Sequence, residues 1–564
     1  MSEQVTSTHR VVDHIVGRLA RHGVRYIFGV DGANIEDLYD AAHFCDHITA
    51  VLAKHEFSAA TMADGYRRGG AGLGVVAATS GGGSLNLVAA LGESLTSRIP
   101  VLALVGQPPT TMDGRGSFQD TSGLGGALDA QALFSAVSVY CRRVVDAATV
   151  DEALTEALAA TRRGPAVLLL PKDVQQSLFD AQAGAEAPAA LPPSVPIGDP
   201  APIAAQLRRV RGPVTIIAGE QVARDDARDE LERLRAILRA RVATVPDAKD
   251  VSGAPGLGSS SALGVTGVMG HPGVADALAD SAVCVVVGTR LPATARAGLD
   301  SALAQVPVLS LGAEPPYPPS LHVHTDDLRG SLSMLNAALS GPLGVTVPER
   351  IPHAELSPPA HHGDGIRYRD AMAALDRALP DGADIVVDAG NTGAAAIHHL
   401  PVRRGGRFVV ALGMGGMGYS FGAGIGMCFG RRRRTVVIAG DGSFFMHGLE
   451  LHTAIQYRLP VTVVLFNNNA HAMCVTREQL FYRDLYSYNR FAPSKLGAGL
   501  SAMFPGLPAV DVAEIEALPQ ALHTALDAEG PSVVSIECSA DEIPPFAPFL
   551  ENKESPAHVP ARTR

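Results

Sequence analysis

Short runs of apolar and β-branched residues recur along the chain, separated by longer stretches with an amphipathic rhythm. In order they read YIFGV, GVVAATS, VLALVG and AVLLLP, then VTIIAGE, VCVVVGTR and VPVLSLG, then IVVDAG, FVVALG, TVVIAG, VTVVLFN and SVVSIE. A strand with one wet face alternates apolar with polar residues. These runs are apolar throughout, as strands of a parallel sheet covered by helices on both faces must be. The pattern predicts an α/β fold of doubly wound parallel sheets.

Two stretches break the rhythm: AQAGAEAPAALPPSVPIGDP from Ala181 and GPLGVTVPERIPHAELSPPAHHGDG from Gly341. Proline fixes φ and removes a backbone donor, so such segments bridge domains rather than enter sheets. They divide the 564 residues into three α/β blocks, at 1–180, 190–345 and 360–547, each large enough for its own core, with a flexible polar tail at 548–564. No short-period repeat is evident.

Charge and cysteine usage narrow the function. The net charge is −11, and apart from Arg431 to Arg434 the basic residues are scattered, so nucleic acid is not an expected partner. The first residues, MSEQVTSTHR, lack an apolar core, and no stretch keeps 18 apolar residues free of charge. Neither export nor membrane insertion is therefore expected, and the expected location is the cytoplasm. Cys45, Cys141, Cys284, Cys428, Cys474 and Cys538 form no CxxC pair, so they read as reduced thiols, mostly packed inside.

Chemistry concentrates between Gly440 and Ala470. TVVIAG reads as a buried strand with Gly440, Asp441 and Gly442 at its carboxyl end, where open α/β sheets place ligands. Ser443 is then expected to cap a helix running to about Tyr457, whose free amides attract phosphate. The strand VTVVLF follows, ending in Asn467, Asn468 and Asn469. A right-handed crossover sets the two strands side by side, so Asp441 and Asn468 can meet at one edge. A carboxylate, an amide oxygen and a nearby main-chain carbonyl make an all-oxygen half-shell suited to Mg²⁺ holding a diphosphate. Taken singly, the aspartate could be a helix cap and the asparagines turn formers. GMGGMG at Gly413 to Gly418, after FVVALG, also satisfies G-x-G-x-x-G, which keeps a dinucleotide-binding site in competition.

GDGS with the double asparagine at this distance resembles the metal–diphosphate motif of thiamine diphosphate enzymes. The resemblance implies that Asp441, Asn468 and the backbone oxygen of Ala470 ligate Mg²⁺, with Gly442 and Ser443 beside the diphosphate. It also implies that Asn391 and Thr392, in AGNTGAAA, reach the diphosphate. By the same likeness the Gly415 carbonyl meets the 4′-amino group of the aminopyrimidine, and Met417 is the apolar wedge behind a bent cofactor. Such a cofactor needs a buried acid at its aminopyrimidine N1′, and KHEFSAATMADGYRRGG supplies Glu56.

The blocks RYIFGVDGANIEDLYDA, HEFSAATMADGYRR and ATSGGGSLNLVAALGESLTSRIPVLALVGQPP resemble the pyrimidine domain of the acetolactate synthase-like branch. The likeness covers about residues 10 to 545 and implies pyrimidine-binding, central and diphosphate-binding domains in that order. It further implies a homodimer or homotetramer whose active site lies between chains. GRGSFQD, with Phe118 and Gln119, resembles the substrate entrance of that branch, and HAMCVTREQLFY places Met473 and Arg477 at pocket-facing positions. The expected reaction is decarboxylation of a 2-oxo acid with transfer of the remaining acyl unit to a second carbonyl compound. A simple 2-oxo acid decarboxylase, a nicotinamide oxidoreductase and a non-catalytic binding protein stand as alternatives.

The chain departs from the family at several points. Arg477 replaces the family's tryptophan, Gly82 stands where SGPG has proline, and Phe421 where the glycine run continues with proline. Some relatives carry flavin (FAD) in the central domain. Here GTRLPATAR replaces the usual ARFDD stretch, which leaves FAD open.

Overall fold

A computed structural model describes residues 9–179, 196–252, 262–340, 353–403, 405–484 and 487–550. Residues 181–195 of the first proline-rich stretch, 341–352 of the second and 551–564 of the expected tail lie outside them. The apolar runs become strands of three six-stranded sheets, each parallel throughout; all are inner strands except FVVALG, which forms the edge strand Phe408–Val410. From edge to edge the first sheet runs Thr49–Leu52, Tyr26–Val30, Gly74–Ala78, Val101–Gln107, Ala166–Pro171 and Tyr140–Arg143. The second runs Ala262–Val265, Arg241–Thr244, Val214–Ala218, Val283–Val287, Val308–Gly312 and Leu321–His324. The third runs Phe408–Val410, Asp384–Val387, Thr435–Gly440, Val461–Asn467, Ser532–Glu537 and Ala509–Val512.

The central sheet has an apolar core of its own, but the outer two share one: Phe28 and Tyr66 pack in the same cluster as Phe421, Phe429 and Val461. Each outer block also has a cluster mostly or wholly its own, around Ile15, Leu104 and Leu168 in the first and around Leu375, Ile385 and Phe466 in the third, so the shared core is an addition to the one expected in each block. The helices Glu56–Arg68 and Tyr419–Arg431 are buried over nearly their whole length and need apolar cover on both sides, which each finds in the other. Their contact is backbone-close. A β-carbon at Gly426 would strike the Met62 carbonyl oxygen, and one at Gly65 the Ala423 carbonyl oxygen.

Buried charges lock this contact. Arg68 Nε donates to Asp64 at 2.7 Å and Arg68 Nη2 to Glu93 at 3.3 Å, while the Tyr419 hydroxyl donates to Asp64 at 2.5 Å. Every charge in the cluster has a partner, as burial demands. Lys249 of the central block donates to the carbonyls of Ile397 and Leu400, both at 2.5 Å, at the end of helix Asn391–His399. Among the described residues no helix is long and apolar enough to cross a membrane. The cysteines are all unpaired, but only Cys284 and Cys428 are fully buried and Cys474 is exposed, so fewer thiols are packed inside than expected.

Candidate functional site

Strands Thr435–Gly440 and Val461–Asn467 are neighbours in register, with Gly440 opposite Phe466. Their carboxyl ends bring Asp441 against the asparagine loop, where Asp441 Oδ2 accepts the Ala470 N–H at 3.1 Å. Asp441 Oδ1, Asn468 Oδ1 and Asn391 Oδ1 are buried and accept no hydrogen bond. Asp441 has no ion-pair partner among the described residues, and burial lifts its carboxyl to about 6. A buried carboxylate beside donor-free amide oxygens is a donor set of oxygen alone, which fits a hard cation such as Mg²⁺. Asn391 is positioned by its own Nδ2, which donates to Thr476 Oγ1 at 3.2 Å, and Thr392 is buried beside Gly440. At Gly442 a β-carbon would sit 2.5 Å from His471 Nδ1 and 3.5 Å from Met417 Cε, so glycine alone fits there, and Met417 borders the metal loop.

The helix after Asp441 differs from expectation. It begins at Asp441 rather than beyond Ser443 and ends at His447, and a 3₁₀ turn, Gly448–Glu450, precedes a second helix, Leu451–Gln456. Ser443 is no cap: its hydroxyl donates to Asp388 Oδ1 at 3.0 Å, which leaves its N–H rather than its O–H for a ligand.

Asp388, at the end of strand Asp384–Val387, was not singled out in the sequence, yet it ties the site together. Its Oδ1 accepts from Ala389 N–H at 2.9 Å, Gly418 N–H at 3.0 Å and the Ser443 hydroxyl. Its Oδ2 accepts from Ser420 N–H at 3.0 Å and Ser420 Oγ at 2.7 Å. The amides that open helix Tyr419–Arg431 are thus already filled by a carboxylate, where a dinucleotide fold would seat its pyrophosphate. The competing reading of GMGGMG fails on this point. Gly415 is exposed in the loop, and Glu93 holds the preceding residues by accepting Met414 N–H at 2.6 Å. Phe421 fills the shared core, fully buried, so that departure from the family is absorbed by packing.

Glu56 opens helix Glu56–Arg68 and is buried. Its Oε2 accepts from Asn86 Nδ2 at 2.9 Å, and a β-carbon at Gly83 would come within 3.0 Å of its Oε1. Glu450 fixes the turn before it by accepting Lys54 N–H on both oxygens at 3.1 Å. Phe57 stacks on His447, the last residue of the helix that begins at Asp441, with centroids 4.4 Å apart. Within one chain no hydrogen bond or ion pair among the described residues joins Glu56 to Asp441, Asn468 or Ala470. Asn86 and Glu450 stood in plain view, but only their contacts mark them.

The expected substrate residues fall into two places. Gln119, with φ +60°, lies over Gly81 in the loop that leads to Gly83, and Phe118 is 82% exposed. Met473 is half-buried on helix Ala472–Phe481, while Arg477 is exposed there with its guanidinium 5.9 Å from the Phe481 ring centre. No described hydrogen bond or ring contact joins the two pairs.

Two outer α/β domains pack through their helices, one carrying the buried acid Glu56 and the other the buried, unpaired oxygens of Asp441, Asn468 and Asn391. Comparison with known proteins agrees. The N-terminal, central and C-terminal domain models of thiamine pyrophosphate enzymes match residues 9–126, 201–311 and 388–536. The chain is 26% identical over 551 residues to the large subunit of acetolactate synthase isozyme 2 of Escherichia coli, covering 95% of this chain and 96% of that protein. It is 27% identical over 564 residues to a probable acetolactate synthase large subunit of Methanocaldococcus jannaschii, covering 95% and 93%. It is 25% identical over 584 residues to the E. coli isozyme 1 large subunit, covering 98% and 99%. The chain belongs to the thiamine pyrophosphate enzyme family and is acetolactate synthase-like.

Proposed function

We propose that the protein uses thiamine diphosphate and Mg²⁺ to decarboxylate a 2-oxo acid and transfer the remaining acyl unit to a second carbonyl compound. The observation that carries this reading is the buried Asp441 carboxylate, paired with no described basic side chain, beside the donor-free oxygens of Asn468 and Asn391. Asp441, Asn468 and the Ala470 carbonyl would hold the metal. The N–H groups of Gly442 and Ser443, with Asn391 and Thr392, would hold the diphosphate, and Gly415 and Met417 would meet the aminopyrimidine. Bound there, thiamine diphosphate would supply an electron sink for loss of CO₂. Glu56 would hold and exchange a proton at the aminopyrimidine N1′, with the Asn86 amide fixing the carboxyl that does so. Phe118, Gln119, Met473 and Arg477 would face the substrates. The corresponding domain limits are 1–180, 190–345 and 360–547.

A pair of chains completes the site in this reading. Large apolar side chains are exposed on both halves: Leu85 beside Asn86, and Met414, Phe445, Met446 and Leu449 around the glycine run and the metal-loop helix. Such a face suits burial against a second copy, with Glu56 of one chain serving the oxygen cage of the other.

The test is incubation of the holoenzyme with pyruvate and a panel of aldehydes and 2-oxo acids, with products read by mass. Carbon–carbon ligation products are expected; aldehyde alone under every acceptor would reduce the activity to simple decarboxylation. Glu56→Gln should bind the cofactor normally and lose at least about 100-fold in turnover. Asp441→Ala should abolish magnesium-dependent cofactor uptake in calorimetry.

A further inference from the structure

The three domains meet around a partly open cavity of about 340 Å³, far from Glu56 at the opposite end of its helix. Six guanidiniums line it: Arg67 and Arg68 from the first domain, Arg224 and Arg228 from the central one, and Arg407 and Arg431 from the third. Their buried acidic partners, Asp64, Glu93, Asp250 and Asp384, stand outside the wall. Of the two carboxylates on the wall, Asp226 is exposed and pairs outward with Arg329 at 3.3 Å. The other, Glu220, makes no closer approach than 3.7 Å to Arg407 Nη2, and burial lifts its carboxyl to about 7.

The guanidiniums are not fully used. Arg407 is 93% buried; its Nε donates to Asp250 and its Nη1 to the Arg68 carbonyl, but its Nη2 makes no hydrogen bond. The half-buried Arg67 guanidinium makes no hydrogen bond or ion pair with any described residue. Among the described residues the Arg224 guanidinium has only Asp225 at 3.7 Å and the Ser97 carbonyl at 3.4 Å. A buried ion-pair network built for stability alone would satisfy Arg407 Nη2, because an unmet buried donor on a charged group is costly, and the partly buried Arg67 and Arg224 leave further donors free beside it. The forked geometry of several arginines converging on one space is the usual chemistry for a phosphate.

The geometry points to an anion site at this three-domain junction that takes the phosphate group of a small molecule between Arg67, Arg224 and Arg407. A ligand there would touch all three domains at once. It would therefore bias how they sit on each other, and with them the helix that carries Glu56.

The test is calorimetry on the full chain saturated with thiamine diphosphate and Mg²⁺, so that the diphosphate cradle is filled. Inorganic phosphate and adenosine 5′-monophosphate are titrated separately against a sodium chloride blank of equal ionic strength. One saturable site per chain is expected. Tighter uptake of the ester identifies an organic phosphate as the ligand, and equal uptake identifies the free anion. Arg67→Gln, which breaks no described hydrogen bond or ion pair, should weaken binding about 10-fold or more, while Glu220→Gln, which removes a competing carboxylate, should tighten it. Absence of saturable heat with both ligands, or binding unchanged in both variants, overturns the site.

Discussion

Replacing Asp388 by asparagine is the sharpest probe of how the site is assembled. The carboxylate meets five donors: three on Oδ1 (Ala389 N–H, Gly418 N–H and the Ser443 hydroxyl) and two on Oδ2 (Ser420 N–H and Ser420 Oγ). An asparagine does best by placing its oxygen at the Oδ1 position. Its NH₂ then faces the Ser420 N–H, which cannot turn away, and the Ser420 hydroxyl, which can. One buried backbone donor is left unmet, at about 1–3 kcal/mol, and the surviving bonds lose their charge assistance, for about 1 kcal/mol more. The expected destabilisation is roughly 2–4 kcal/mol, or about 4–16 °C in melting temperature for a cooperative unit of this domain's size. Scanning calorimetry without cofactor reads that shift. Because Gly418 and Ser443 lose a common anchor, cofactor affinity should fall as well, with no change in Glu56. A melting temperature within 1 °C of the parent would refute the idea that one carboxylate holds the glycine run and the metal loop together.

Three further outcomes follow from the geometry. Gly426→Ala forces a methyl group into the Met62 carbonyl across the helix contact and should cost about 1–3 kcal/mol in unfolding assays, whereas Gly499→Ala, with nothing near its β-carbon, should cost far less. His271 is buried, accepts the Val265 N–H at 3.0 Å, faces His353, His398 and Lys249, and is held to about 2 by burial. Since its folded value lies below the unfolded one, the unfolded state takes up the proton first on acidification, and stability is lost as pH falls below about 6.5. From pH 7 to 5 this group alone should remove about 2 kcal/mol, and His271→Gln should flatten that part of the profile. Arg477→Gln should raise KM for a 2-oxo acid acceptor about 10-fold while leaving cofactor affinity unchanged; an unchanged KM would make Arg477 a solvent-facing charge.

The sequence by itself determined the α/β class and the inner strands other than Arg241–Thr244, because a strand buried on both faces must be apolar at nearly every position. It also showed the Asp441 and Asn468 pairing, because a crossover between adjacent parallel strands fixes which ends meet. The strands it did not show were mostly edges. Tyr140–Arg143, Leu321–His324 and Ala509–Val512 are only partly buried, so no continuous apolar run announces them. Tertiary structure alone decided what depends on contacts between segments far apart in the chain. Asp388 reads as an ordinary strand-end aspartate until Gly418, Ser420 and Ser443 converge on it, and Asn86 as a loop residue until it meets Glu56. The helix expected from Ser443 to Tyr457 starts earlier and breaks at Gly448, as Glu450 turns to grip Lys54. Most of the six arginines of the junction are scattered charges in the sequence; the packing of three domains makes them one surface.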